Sequence, residues 1–126
     1  MILGLGIDLV DVARVQRLID AKGERALARL FTEAEVAYAR ARARPAMHFA
    51  ARLAAKEAAF KALAGSADAR RIAWREVEVV VRAGGPPTLA LHGRADFRAR
   101  EIGVQHVHVS LTHTGATAGA VVVLER

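Results

Sequence analysis

The amino-acid sequence predicts an α+β fold, with an antiparallel sheet packed by a long central helix. Three observations lead there. Period-2 alternation recurs in two late stretches, Glu76–Arg82 and His106–Thr112, each followed by turn residues and a second apolar run, as hairpins require. Residues 46–64 are dense in strong helix formers and lie between Pro45 and Gly65. The order is one strand, then helices, then hairpins with a single helix between them, which segregates strands from helices instead of alternating them.

The first strand is expected over Ile2–Val10. Gly4 and Gly6 sit in alternate register within it, where a missing side chain allows close backbone approach or a bulge. Gly4-x-Gly6 lacks the third glycine of a dinucleotide fingerprint. Asp8 interrupts the apolar run at the expected strand end, as a turn residue, a helix cap or a ligand. A helix follows from Asp11 to about Ala21, with Val12, Val15, Leu18 and Ile19 inward and Arg14 and Arg17 toward solvent. Lys22-Gly23 breaks it, and Glu24–Leu30 forms a second helical piece. Thr32-Glu33-Ala34-Glu35 reads as a capping box opening a helix to about Arg42.

In the central helix Phe49, Leu53, Phe60 and Leu63 recur as one apolar stripe, with Gly65 as the C-cap. Glu57 falls roughly 75° from the middle of that stripe, at an edge where a carboxylate is half buried. Lys56 falls nearly on the stripe, with a stem long enough to bury while its ammonium reaches water. Glu57 and Lys61 have the spacing of an ordinary i,i+4 ion pair. Residues 66–74 read as a polar loop. Gly84-Gly85-Pro86-Pro87 turns the first hairpin into Thr88–Leu91. A helix over Gly93–Ile102 rests on Ala95, Phe97, Ala99 and Ile102, and Thr117–Leu124 pairs with His106–Thr112 to close the chain.

The chain has 126 residues, enough for one domain over residues 1–126 with its own core, and 53% of it is apolar, which argues against disorder. No apolar run approaches the ~20 residues of a membrane span. Met1-Ile2-Leu3-Gly4 has no basic start and soon meets Asp8, unlike a signal peptide. There is no cysteine, so disulfides and thiolate metal sites are excluded, and a cytoplasmic location is expected. Net charge is +6, with only three lysines among the 19 cations. An arginine-rich surface suits phosphates, nucleic acid or an acidic protein. An RNA-binding module would want an exposed aromatic platform, and the few aromatics sit mostly in apolar register.

His106-x-His108 puts two imidazoles on one strand face with Ser110 and Thr112. No carboxylate or third histidine is near in sequence to complete a zinc set, so a polar strand face is the better reading. His113 falls at the strand end, fit to touch a ligand phosphate or to make a turn hydrogen bond. A P-loop and a nucleophile elbow are absent. What remains is oxygen-ligand chemistry. If Asp8 and Glu57 converge, two carboxylates plus substrate phosphates is how magnesium is usually held, and Lys61 one turn on would neutralise the same phosphates.

Three stretches, in order, resemble a known family: Gly4-Leu5-Gly6-Ile7-Asp8 through Arg14; Phe49 through Leu63, with Arg52 and Lys56-Glu57-Ala58-x-x-Lys61; and His108-Val109-Ser110-Leu111-Thr112-His113 through Glu125. The chain resembles the holo-acyl-carrier-protein synthases, the small bacterial type of 4′-phosphopantetheinyl transferase, over essentially its whole length. The larger, two-lobed transferase type needs about twice this length.

The resemblance implies a 4′-phosphopantetheinyl transferase-like fold and transfer of the phosphopantetheine arm of coenzyme A to a serine of an acidic apo-acyl carrier protein. Adenosine 3′,5′-bisphosphate would be released, and the reaction would be magnesium-dependent and serve fatty acid biosynthesis. It implies Asp8 and Glu57 as magnesium ligands, and Asp8, Glu57 and Lys61 as the catalytic set. Arg52, Lys61, Gly65, Ser66, Pro86, Thr112 and His113 would meet coenzyme A, and Arg14, Leu18, Arg25 and Arg29 would meet the carrier protein. It also implies a homotrimer with sites between subunits, and no nucleic acid or membrane partner. Two stretches depart from the family pattern, Ala64-Gly65-Ser66-Ala67-Asp68 and the Gly85-Pro86-Pro87 turn, both on the expected coenzyme side.

Overall fold

Strand β1 (Ile2–Asp11) is followed by α1 (Val12–Leu30), α2 (Glu33–Arg40) and α3 (Pro45–Leu63) in a computed structural model that describes residues 1–126. Two short 3₁₀ turns, Asp68–Arg71 and Trp74–Glu76, occupy the expected loop. Then come β2 (Val77–Val81), β3 (Pro87–Leu91), α4 (Gly93–Ile102), β4 (His106–His113) and β5 (Thr117–Glu125). The α+β class and the central helix stand as expected. The strands, however, form two antiparallel sheets, β1-β5-β4 and the β2-β3 hairpin. Alternation reports which face of a strand is buried and says nothing about its neighbour.

α3 lies across the inner face of β1-β5-β4, and α1, α2 and β2 pack around it. Gly4 and Gly6 make this approach possible. A Cβ at Gly4 would collide with the carbonyl of Ala62, and one at Gly6 with the carbonyl of Ala58. Alternation then buries Val10 on β1 and Ala118, Ala120, Val122 and Leu124 on β5 beneath the helix. The outward residues of β1, Leu5, Ile7 and Leu9, remain 61–69% exposed.

The single apolar stripe expected on α3 is corrected. Thirteen of its 19 residues are buried, so the helix is wrapped nearly all round. Pro45 starts it, and Ala64 rather than Gly65 is its extended C-cap, with Gly65 next at φ +120°. Phe49 packs on Phe31 with ring centroids 5.0 Å apart. Gly23 interrupts α1 at φ +59°, ψ −138°, where the sequence breaks. The capping box at Thr32 forms as expected. The Glu35 amide donates to the Thr32 hydroxyl at 3.2 Å, and the Thr32 amide donates to the Glu35 carboxylate at 2.9 Å. α4 forms over the expected residues, with Ala95 and Ala99 buried and Phe97 62% exposed. Ile102 packs partly buried against the core at the end of the helix.

Candidate active site

Asp8 lies inside β1 opposite Ala120, not at the strand end, and the residue at the N-cap of α1 is Asp11, which makes no side-chain cap. In that register Asp8 shares the inner face with Gly4 and Gly6, so its carboxylate is directed at α3 where the helix runs closest. One oxygen of Asp8, Oδ2, is buried without a hydrogen-bond partner. The other accepts from the ammonium of Lys61 at 3.1 Å, and Lys61 also donates to the carbonyl of Ile7 at 2.8 Å. The expected Glu57–Lys61 pair is therefore replaced by a Lys61–Asp8 pair that ties helix to strand.

Glu57 is half-buried as expected and lies against Asp8. Its carboxyl is pushed up to about 7, first by burial and then by the nearby carboxylate of Asp8. Arg14 and Lys61 pull it the other way. Two carboxyls crowded at low solvation favour holding either a proton or a cation between them. Asp8 and Glu57 could hold a cation that prefers oxygen ligands, and the orphaned Oδ2 of Asp8 suits one. The chain nowhere gathers three or more side chains of the metal-binding type.

Lys61, Gly65 and Ser66 line one cavity of about 820 Å³ together with Phe60, Arg70 and Trp74. Phe60 and Trp74 meet edge to face with centroids 5.0 Å apart. These two rings and Arg70 line the cavity, and sequence reasoning missed them. The lone tryptophan next to an arginine-rich loop was the available signal. A second groove, about 850 Å³, is lined by Leu18, Lys22, Arg25, Arg29 and again Trp74, so the two depressions share a wall. Leu18 is half-buried in it, and Arg14 stands exposed one turn before.

The remaining expected residues are not brought to this site within one chain. Arg52 is about 140° around α3 from Glu57. It is buried, with its guanidinium 4.1 Å from the Tyr38 ring and hydrogen-bonded to the His48 carbonyl. Burial lowers its pKa, and Tyr38 opposes that shift. Arg42 stacks on the same ring at 3.9 Å. Thr112 and His113 are exposed at the end of β4, with His113 close enough to His48 to lower its pKa alongside burial and the arginines. Glu57 is nine residues, about 13 Å of helix, beyond His48. Pro86 is exposed in the β2–β3 turn. His106 and His108 share the outer face of β4 with rings 6.4 Å apart, and His108 bonds Glu125 at 3.0 Å.

Lys56 departs most from expectation. Its ammonium does not reach water. Its side chain is fully buried, donating to Glu35 at 2.8 Å, to the Trp74 carbonyl at 3.0 Å and to the Val77 carbonyl. Burial lowers its pKa while Glu35 pulls it back up.

Residues 4–122 match the family model described as the 4′-phosphopantetheinyl transferase superfamily. A curated relative, the holo-[acyl-carrier-protein] synthase of Anaeromyxobacter dehalogenans, is 52% identical over 99% of this chain and 97% of its own. Among solved structures, the holo-[acyl-carrier-protein] synthase of Neisseria meningitidis superposes with a TM-score of 0.86 at 28% identity, covering all of both chains. The synthase of Bacillus anthracis, solved in complex with coenzyme A (3′,5′-ADP), superposes with a TM-score of 0.77 at 30% identity, covering 98% of this chain and 96% of its own.

Proposed function

Since the chain belongs to the 4′-phosphopantetheinyl transferase superfamily as a holo-[acyl-carrier-protein] synthase, we propose that Asp8, Glu57 and Lys61 form its reaction centre. The reaction moves the 4′-phosphopantetheine arm of coenzyme A to a serine of apo-acyl carrier protein and releases adenosine 3′,5′-bisphosphate. The observation that carries this reading is the contact of Asp8 with both Glu57 and Lys61, because Lys61 also lines the neighbouring cavity. The coenzyme A complex of the Bacillus anthracis relative supports coenzyme A as the donor.

Asp8 and Glu57 hold magnesium in this reading. Bound there, the ion supplies Lewis-acid charge to the diphosphate of coenzyme A. The serine oxygen forms a bond to the phosphorus that carries pantetheine, and the phosphoanhydride oxygen leaves with the bisphosphate. Lys61 exchanges Asp8 for the diphosphate and neutralises charge on the leaving oxygen. A serine hydroxyl needs a base at neutral pH, and Glu57, acting through a water, would take that proton. Lys61, Gly65 and Ser66 bind the coenzyme in the cavity beside Phe60 and Trp74.

The carrier protein docks on Arg14, Leu18, Arg25 and Arg29. The shared Trp74 wall supports this, since donor and acceptor must meet. Arg52 is buried against Tyr38 and would meet coenzyme A only on leaving that ring. Pro86, Thr112 and His113 are exposed and off the site of their own chain, so in a homotrimer they would reach coenzyme A across a subunit boundary. The uncovered apolar face of β1 supports such an assembly. No helix is long and apolar enough to cross a membrane. We place the enzyme in the cytoplasm, serving fatty acid biosynthesis.

Incubation with coenzyme A, magnesium and apo-carrier protein, followed by mass spectrometry of the carrier, tests the reading. The phosphopantetheine mass should appear, and excess chelator should abolish it. Transfer that persists in chelator contradicts the metal assignment.

A further inference from the structure

Between Leu53 and Leu63, every fully buried side chain of α3 is an alanine except Lys56. On the sheet side, Ala58 and Ala62 rest by their backbones on Gly6 and Gly4. Small residues on glycine allow close approach, but they offer no interlocking ridge to fix rotation about the helix axis. Phe49 anchors the first half of the helix against Phe31, well before Glu57. At the level of Glu57, the one large buried group is the ammonium of Lys56.

All three of its N–H donors are spent on other elements: Glu35 of α2, the Trp74 carbonyl ahead of β2, and the Val77 carbonyl in β2. Glu35 is equally committed. One oxygen takes Lys56 and the Thr32 amide, and the other takes the Val79 amide at 2.9 Å. Both side chains are 0% exposed. A buried ion pair is seldom better for stability than apolar groups of the same volume, whereas its directional bonds fix geometry.

We propose that the Glu35–Lys56 pair is a positioning clamp that sets the rotation of α3 so that Glu57 faces Asp8. Lys56 and Glu57 are consecutive, about 100° apart on the helix, so an angle imposed on one is imposed on the other. A turn of about 20° would carry a carboxylate near the helix surface about 2 Å sideways, beyond the tolerance of a preorganised site. The clamp touches neither metal nor substrate. The inference rests on the reading that Asp8 and Glu57 hold the metal.

The test is a Lys56→Met/Glu35→Gln double variant, which leaves no lone buried charge. Binding of Mn²⁺ as a magnesium probe is followed by the loss of its free electron paramagnetic resonance signal. Turnover is measured at a temperature where circular dichroism shows a folded chain. We expect Mn²⁺ binding and kcat to fall roughly 10- to 100-fold, as for other outer partners of metal ligands, with the carrier-protein KM unchanged. Should the double variant not fold, Lys56→Leu/Glu35→Gln, equally free of a lone buried charge, carries the same test. A folded variant with lowered Tm but wild-type Mn²⁺ affinity and kcat overturns the clamp. Wild-type Mn²⁺ binding no tighter than that of Glu57→Gln overturns the site reading, and the clamp with it.

Discussion

The ammonium of Lys61 sits 3.1 Å from Oδ1 of Asp8, on a strand 53 residues away, not on Glu57 one turn back along its own helix. The short span between helix and strand that the glycines permit makes this bond possible. Lys61 thus neutralises Asp8, and in the proposed reaction it would turn to the diphosphate when coenzyme A binds. Lys61→Ala should lower kcat roughly 10²-fold, the cost of one lost charge-stabilising donor. Mn²⁺ affinity measured without coenzyme A should hold or rise, since a competing cation has gone.

The raised pKa of Glu57 sets a pH dependence. Burial and Asp8 raise it from the model-compound 4.5 to about 7 in the folded chain. Between those values the folded state keeps a proton that the unfolded state has released, so folding stability falls as pH rises through that window. In chelator, the Tm of the wild type should drop from pH 5 to pH 8 more than that of Glu57→Gln. Mn²⁺ affinity should rise over the same range as the proton leaves.

Assembly can be measured directly. With Leu5, Ile7 and Leu9 exposed along β1 and a core built largely of alanine and valine, the subunit has apolar area to cover. Light scattering at micromolar concentration should report a trimer. Leu5→Glu should give monomers that retain helical circular dichroism and lose transfer, because the coenzyme site then lacks its second subunit.

Arg14, Arg25 and Arg29 are exposed along α1, beside a groove that reaches Trp74. Exposed charges steer encounter and are screened by salt. Arg14→Glu should raise the carrier-protein KM about tenfold or more at low salt, with a smaller effect at high salt. The coenzyme A KM should stay nearly unchanged. Arg14 also lowers the Glu57 pKa, so a modest change in the pH profile should accompany the variant.

What could be read from the sequence was what is local. The capping box of Thr32 and Glu35 lies within four residues, the break at Gly23 lies within one, and both are as expected. Gly4 and Gly6 pointed to a close approach or a bulge; both glycines make the close approach, and the strand register also shifts between Ile2 and Gly4. The partner of that approach was not legible from local pattern, since it lies over 50 residues away at Ala58 and Ala62. The same distance hid the true partner of Lys61. Lys56 looked like a snorkelling residue because its acceptors are a carboxylate 21 residues earlier and two main-chain carbonyls, which no side-chain pattern announces. Convergence of Asp8 with Glu57 was raised by oxygen-ligand chemistry, and the resemblance made it the expectation.

In the proposed reaction Asp8 and Glu57 bind the metal on which transfer depends. Glu57→Gln keeps the shape of the side chain and removes its charge. Transfer to apo-carrier protein, followed by mass spectrometry, should fall at least roughly 10³-fold, as when a group acting at the reacting atoms is lost. The oligomer should persist and Mn²⁺ binding should be lost, with Asp8→Asn behaving alike. Transfer by Glu57→Gln at near the wild-type rate would contradict the account.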